Sequence, residues 1–345
     1  MRNSIQKVLM ISLSIFSALQ STVAPWTWCY KKKFTNTIMR NSDTAFEKTG
    51  LPPFTQLIFS WNAHMPSSKI RSSGGGFRFF VRVRYVDTHD WSGWHRMAEW
   101  GKLGGTTFYA QHEDGLEYCY VRLEMPKGRY ADAFQIKVES LHGAPLGLIK
   151  MLAVCSSNLS SFETEDAEVY DQLSYVYLKG VPALSQRELD HPQTPKICSP
   201  TSLCVLASYL ADHQFDPVTF ADGVFDKGLK VYGSWSCNTA YAFHATDGAA
   251  FFHVQRLHNF KTLYDYLRKG IPVVVSVRGS LTGAPKAYPG GHLLTVVGFD
   301  PERKLVLCHD PAVWKAEDVF KEYRLDEFLI AWENSHRLAY IGEPT

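Results

Sequence analysis

Ile197-Cys198-Ser199-Pro200-Thr201-Ser202-Leu203-Cys204-Val205-Leu206-Ala207 is the stretch on which the reading of this chain turns. Leu203, Leu206, Ala207 and Leu210 recur at helical spacing, and Pro200 suits the first turn of that helix, where a missing N–H costs nothing. The thiol of Cys198 therefore stands at a helix N-terminus. Unpaired backbone N–H groups and the helix dipole favour a thiolate there, and the thiolate is the reactive form. A single cysteine is more often a small core side chain. The turn-like Thr194-Pro195-Lys196-Ile197 just upstream makes this one harder to bury.

A nucleophilic thiol needs a base. Of 13 histidines, His292 is the best placed, because Gly290-Gly291 precede it and an apolar strand follows; glycines let another backbone or a substrate come close. His244, His253 and His309 read better as satisfied core histidines. Asp310 is expected to orient the ring. An antiparallel hairpin around Asp300-Pro301-Glu302-Arg303-Lys304 that pairs Phe299 with Leu305 sets Asp310 opposite Leu294. His292 and Asp310 then become diagonal neighbours on one face, about 7–8 Å apart at Cβ. A loop of even length would send them to opposite faces.

Around these residues the texture is helices and strands with short links. Phe260, Leu263, Tyr264 and Leu267 mark a second helical face that Gly270 ends, and residues 271–277, 292–299 and 305–309 read as strands. A helical region followed by strands is α+β, not an alternating parallel sheet. Upstream, Phe77-Arg78-Phe79-Phe80-Val81-Arg82-Val83-Arg84-Tyr85 and Phe134-Gln135-Ile136-Lys137-Val138 alternate with period two, and no helix of normal length is visible before residue 155. A β-sandwich is the economical reading of this part. Trp61, Trp91, Trp94 and Trp100 either fill its core or stack on a carbohydrate or other surface ligand.

The chain has 345 residues, long enough for two domains, with 45% hydrophobic and 20% charged residues and a net charge of +2. No basic stripe marks a nucleic-acid binder. Lys31-Lys32-Lys33 reads as a solvated tether. Seven cysteines without paired metal-ligand spacing argue against a metal site or a disulfide scaffold; no cofactor motif is visible, and none is expected. Arg2 and Lys7 ahead of an apolar run from Val8 to Leu19 read as a signal peptide or N-terminal anchor over 1–24. The expected layout continues with a linker at 25–50, the sandwich at 51–155, a Ser-rich then acidic linker at 156–179 and the catalytic domain at 180–345. Export to the periplasm, cell surface or medium is favoured over the cytoplasm. Membrane contact is expected only through an uncleaved N-terminal segment.

VPALSQ, ICSPTSL, GGHLLTVVGFD and CHDPA, in this order, resemble the bacterial C-39-like cysteine peptidases of the papain superfamily. YGSWSCNTAYA and LRKGIPVVVSV resemble the segments between those motifs, and FTQLIFSWNA resembles the domain ahead of the peptidase in many members. The resemblance implies a papain-like domain behind a β-sandwich. It also implies a triad in which Cys198 attacks a carbonyl, His292 moves the proton and Asp310 holds the ring. Gln186 matches the family glutamine that helps the Cys198 N–H bind the oxyanion. The chain departs from the leader-processing transporter peptidases in its longer glutamine-to-cysteine spacing, in Ser199 where they carry glycine, and in having no ATP-binding cassette behind the domain; Gln193 lies closer to Cys198. The implied activity is hydrolysis of a peptide or protein substrate. The competing readings are a non-catalytic surface-binding protein on a papain-like scaffold and an acyl-transferase using the same triad.

Overall fold

The structure is a computed structural model that describes residues 24–34, 44–66, 75–111, 115–119 and 121–345. Apart from Ala24, the expected leader lies outside the described residues. The first half folds as two antiparallel sheets. One runs, in spatial order, Thr27–Lys33, Ile149–Ser157, Gln56–Ala63, Arg122–Glu124, Glu117–Cys119 and Ala110–Gln111; the other runs Phe46–Lys48, Ala131–Leu141, Gly76–Tyr85, His95–Gly101 and Gly104–Thr107. Period-two patterning explains their packing. Phe77, Phe79, Val81 and Val83 of the second sheet share one core with Leu57, Phe59 and Trp61 of the first, while Arg78, Arg82 and Arg84 turn outward onto Glu99, Gln135 and Asp132. Trp61 and Trp100 are core residues; Trp91 and Trp94 flank the Arg82 guanidinium at 5.0 and 4.5 Å.

The segment expected to be a linker at 25–50 contributes two strands among its described residues. Thr27–Lys33 is the outer strand of the first sheet, paired along its length with Ile149–Ser157, and Phe46–Lys48 edges the second. Lysines are what an edge strand tolerates and what guards it from mispairing. Lys31 also pairs with Glu343 at 2.5 Å, and Lys33 lies 4.2 Å over the Phe251 ring. Lys31 and Lys33 therefore join the two halves of the chain, and Lys32 donates to the Ala45 carbonyl within the first half, so the run is not a free tether.

The second half holds five helices, α1 (Cys198–Ala211), α2 (Pro217–Val224), α3 (Trp235–Ala245), α4 (Phe260–Arg268) and α5 (Leu325–Glu333). Its antiparallel sheet runs Ala250–Arg256, Leu338–Pro344, Val273–Gly279, Tyr288–Asp300, Leu305–His309 and Phe320–Arg324, with Val176–Tyr177 also paired to Tyr288–Asp300. Alternate residues serve opposite faces: Val273, Val275 and Val277 pack with α4 and α5, whereas Val274 packs with Leu203 and Leu206 of α1. All four predicted apolar residues of α4 are buried, and Asn259 caps it by accepting from the Thr262 N–H at 2.8 Å.

The two halves share a core, which the sequence reading did not expect. Gln56–Ala63 is buried at every position, because its second face lies against the other half. Ile58, Met151, Ala153 and Cys155 pack with Leu203, Ala207, Phe243 and Val254 in one cluster. Polar groups complete the seam. Asn62 donates to the Phe252 carbonyl at 2.6 Å and accepts from its N–H at 2.8 Å, as a neighbouring strand would. The Val254 N–H reaches Ser60 Oγ at 3.3 Å, and the buried Arg256 guanidinium donates to Gln56 at 2.9 Å. Asn62→Ala leaves two buried backbone groups without partners. It is expected to cost roughly 2–4 kcal/mol in chemical denaturation, whereas an exposed asparagine would change stability by a few tenths.

Candidate active site

Cys198 opens α1, as the sequence predicts. The helix is docked on the central strand through Ser202, whose Oγ donates to the Leu293 carbonyl at 3.0 Å, and through Thr295, whose Oγ1 donates to the Ser202 carbonyl at 3.3 Å. These contacts fix the helix start beside His292. The Cys198 thiol hydrogen-bonds to that imidazole. His292 Nε2 lies 2.8 Å from Asp310 Oδ1, so Nδ1 is the ring nitrogen left to meet the thiol.

Asp310 reaches His292 by a route the sequence reading did not foresee. Asp300 pairs with Leu305, Phe299 with Val306 and Gly298 with Leu307. The even loop 301–304 would by itself send Asp310 to the wrong face. A β-bulge at Val297 shifts the register by one residue, so that Val296 pairs with Cys308 and Thr295 with His309. One further step sets Asp310 level with Leu294, on the His292 face. Bulges of this kind re-aim side chains next to functional sites.

Asp310 is fully buried. It accepts from His292, from Tyr288 Oη at 2.7 Å, from Tyr323 Oη at 2.6 Å and from the Ala312 N–H at 2.9 Å. Burial alone would raise its pKa, but the His292 charge and these donors hold it at about 2. Burial likewise opposes charge on His292; Asp310 and Cys198 overcome it and raise the imidazole to about 9. For Cys198, desolvation is outweighed by the His292 charge and by hydrogen bonds from His292 and the Leu293 N–H, so its pKa falls below the ordinary thiol value. The charge state these shifts favour is a thiolate–imidazolium pair held by a carboxylate. Tyr288 also stacks on the imidazole, with ring centres 4.0 Å apart and planes 16° from parallel.

The two tyrosines and the cleft walls escaped the sequence reading. Tyr288 carries a usable signal, since it precedes His292 with only Pro289-Gly290-Gly291 between. Tyr323 is the sole buried residue of a strand otherwise polar or exposed. Gly291 has φ +94°, so glycine is needed there for backbone conformation, whereas an added Cβ at Gly290 or Gly291 would meet nothing. No neighbouring backbone crowds these glycines; they line the cleft, where a substrate could come close, and Gly291 takes its positive φ inside the strand where the pairing with Val273–Gly279 shifts register.

Gln186 is not on the cleft. It is buried, its amide donates to the Thr194 carbonyl at 2.5 Å, and its own N–H donates to Pro311 at 2.9 Å. Gln193, at the start of the 3-10 turn ahead of Cys198, lines the cleft with Cys198 and His292. Ser199, where the leader-processing transporter peptidases carry glycine, is buried, with its hydroxyl tied to Asn238 and Tyr340 at 2.9 Å each. His309 bonds to the Pro182 carbonyl at 3.0 Å, and His244 accepts from the Met65 N–H at 3.4 Å; neither approaches Cys198. Among the described residues, no three His, Cys, Asp or Glu side chains gather as metal ligands.

The cleft holds about 830 Å³. One wall comes from residues 225–235, which are pinned to the first half of the chain through Asp226. That buried carboxylate accepts from the N–H groups of Thr107 at 2.9 Å and Gly228 at 3.0 Å, and from the Thr107 hydroxyl. Arg122, from the first sheet, also lines the cleft and lies 5.6 Å from the Trp235 ring.

Residues 178–340 match the Peptidase_C39 like family, a span that contains Cys198, His292 and Asp310. Among solved structures, the chain is similar to a Bacillus anthracis protein assigned as a C39-like peptidase. The two are 17% identical, the match covers 50% of this chain and 100% of the other, and the TM-score is 0.37. At that score the likeness carries no argument about the site. No curated protein matches the chain.

Proposed function

We propose that the chain is a papain-like cysteine peptidase that hydrolyses peptide bonds through Cys198, His292 and Asp310, with the two-sheet first half as a β-sandwich accessory unit. The observation that carries this reading is the thiol at the start of α1, bonded to an imidazole that a buried carboxylate fixes. The thiolate attacks the scissile carbonyl. The oxyanion is met by the Cys198 N–H at the helix start and by the Gln193 amide. His292 gives its proton to the departing amine, leaving an acyl-enzyme on Cys198. It then takes a proton from the water that releases the acid. Asp310 keeps the ring oriented throughout and stabilises it while it is protonated.

Turnover tests this assignment. Peptide cleavage by the full chain, followed by mass spectrometry of new termini, is expected to disappear in Cys198→Ala. In Gln193→Ala, kcat is expected to fall about 10²–10³-fold, the usual loss for one oxyanion donor. Gln186→Ala is expected to act on stability, through Thr194, with kcat within a few fold of wild type. The reverse ranking of the two glutamines would return the oxyanion role to Gln186, and cleavage surviving in Cys198→Ala would remove the thiol from the reaction.

A further inference from the structure

The cleft walls carry charge of one sign. Apart from Cys198 and His292 themselves, the charged residues that line it are Arg122, Lys196, Lys230 and Arg278, and no Asp or Glu does. The chain as a whole has 36 Lys and Arg against 34 Asp and Glu, so a cleft with cations alone does not follow from a basic protein.

The four cations come from separate parts of the fold. Arg122 is on the first sheet, Lys196 ends the 3-10 turn before the nucleophile, Lys230 is in the loop pinned by Asp226, and Arg278 is near the end of Val273–Gly279. Arg122 pairs with Glu124 at 2.6 Å. Lys196, Lys230 and Arg278 are exposed and join no ion pair among the described residues. Lone surface lysines are ordinarily solvated and indifferent. Here they converge on a concavity whose low-dielectric walls concentrate their field, which attracts anions and repels cations. Between them lie polar and aromatic groups suited to an extended peptide: Gln193, Ser276, Tyr232 and Trp235.

We infer that the cleft selects acidic peptides, with Asp or Glu side chains within about three residues of the bond that Cys198 attacks. This rests on the peptidase reading above and adds the substrate class to it. Carboxylates in the cleft would lie within about one Debye length of several cations at physiological salt, so the preference should weaken as salt rises.

The test uses the full chain in two forms. With Cys198→Ala, which binds without turnover, fluorescein-labelled hexapeptides containing Glu, Gln or Lys are titrated by anisotropy. With wild type, kcat/KM is measured for the same sequences. The Glu peptides are expected to bind and turn over at least ten-fold better than the Gln peptides at 50 mM salt, and the gap should narrow by 500 mM. Arg278→Glu, or independently the exposed Lys196→Glu, should reduce the Glu-to-Gln ratio several fold. Equal handling of Glu and Gln peptides, or preference for Lys, would overturn the substrate class. If wild type also cleaves those peptides, the hydrolase reading stands. Charge-selective binding by a chain whose Cys198 shows no enhanced thiol reactivity would have the opposite meaning: the anionic cleft ligand would stand and the peptidase would fall.

Discussion

A chain beginning at Lys179 is expected to aggregate, or to melt without a cooperative transition, even though it contains every residue of the candidate triad. The sequence reading predicts the contrary, because the composition shift across 156–179 looks like a boundary between independent cores. The shared cluster decides against independence. Removing the first sheet strips Ile58, Met151, Ala153 and Cys155 from the apolar face formed by Leu203, Ala207, Phe243 and Val254. It also takes the side-chain partners of Phe252, Val254 and Arg256 on Ala250–Arg256, an outer strand of the sheet in the second half. Orphaned buried backbone groups cost about 1–3 kcal/mol each, and a typical domain has only about 5–15 kcal/mol to lose. The second half should recover when residues 24–178 are supplied as a separate chain. A Lys179 fragment that unfolds cooperatively on its own would show that the shared cluster is dispensable.

Asp310→Asn is expected to lower turnover by up to about 10⁴-fold, the loss seen when the aspartate of a serine-protease triad becomes asparagine. The carboxylate accepts from four groups. An amide must turn its NH2 either toward His292 or toward the two tyrosine hydroxyls, so at least one donor faces another. The pH profile separates loss of catalysis from loss of fold. Wild-type turnover needs the thiolate and the imidazolium together, so it rises through the lowered Cys198 pKa and falls as His292 loses its proton at about 9. Without the carboxylate, the alkaline limb should move down toward the ordinary histidine value of about 6.5. An unmoved alkaline limb in a folded Asp310→Asn protein would remove Asp310 from the site. Tyr323→Phe, which takes away one donor and keeps the carboxylate, should cost much less.

What the sequence made legible follows from which signals are local. Cys198 at a helix start and His292 on an apolar strand are local patterns, and both lie where the pattern puts them. Asp310 was found through the register of a hairpin, which was right at the site and wrong at the turn. The bulge at Val297 has one mark in the sequence, Gly298 within an apolar strand run, which the hairpin register did not use. Gln186 was chosen on a motif, but proximity to Cys198 depends on how the intervening turn folds back, and that turn brings Gln193 to the cleft. Thr27–Lys33 was missed because an edge strand ending in three lysines looks like a tether. The shared core was missed for a related reason: Gln56–Ala63 carries Ser60 and Asn62 on the face that meets the other half, and their burial makes sense only once the partners are known.

If Cys198 is a thiolate paired with His292, its alkylation rate must show it. Full-length protein, with reductant present, is treated with iodoacetamide from pH 5 to 9, and each cysteine is followed by peptide mass spectrometry. Desolvation pushes the thiol pKa up for Cys29, Cys204, Cys237 and Cys308, to about 12 for Cys204, so these should stay slow throughout. Cys198 should label far faster than every other cysteine already near pH 6, and His292→Ala should slow it by removing the imidazolium that lowers its pKa. Labelling of Cys198 no faster than the other cysteines at any pH, or unchanged in His292→Ala, would mean that no thiolate–imidazolium pair exists.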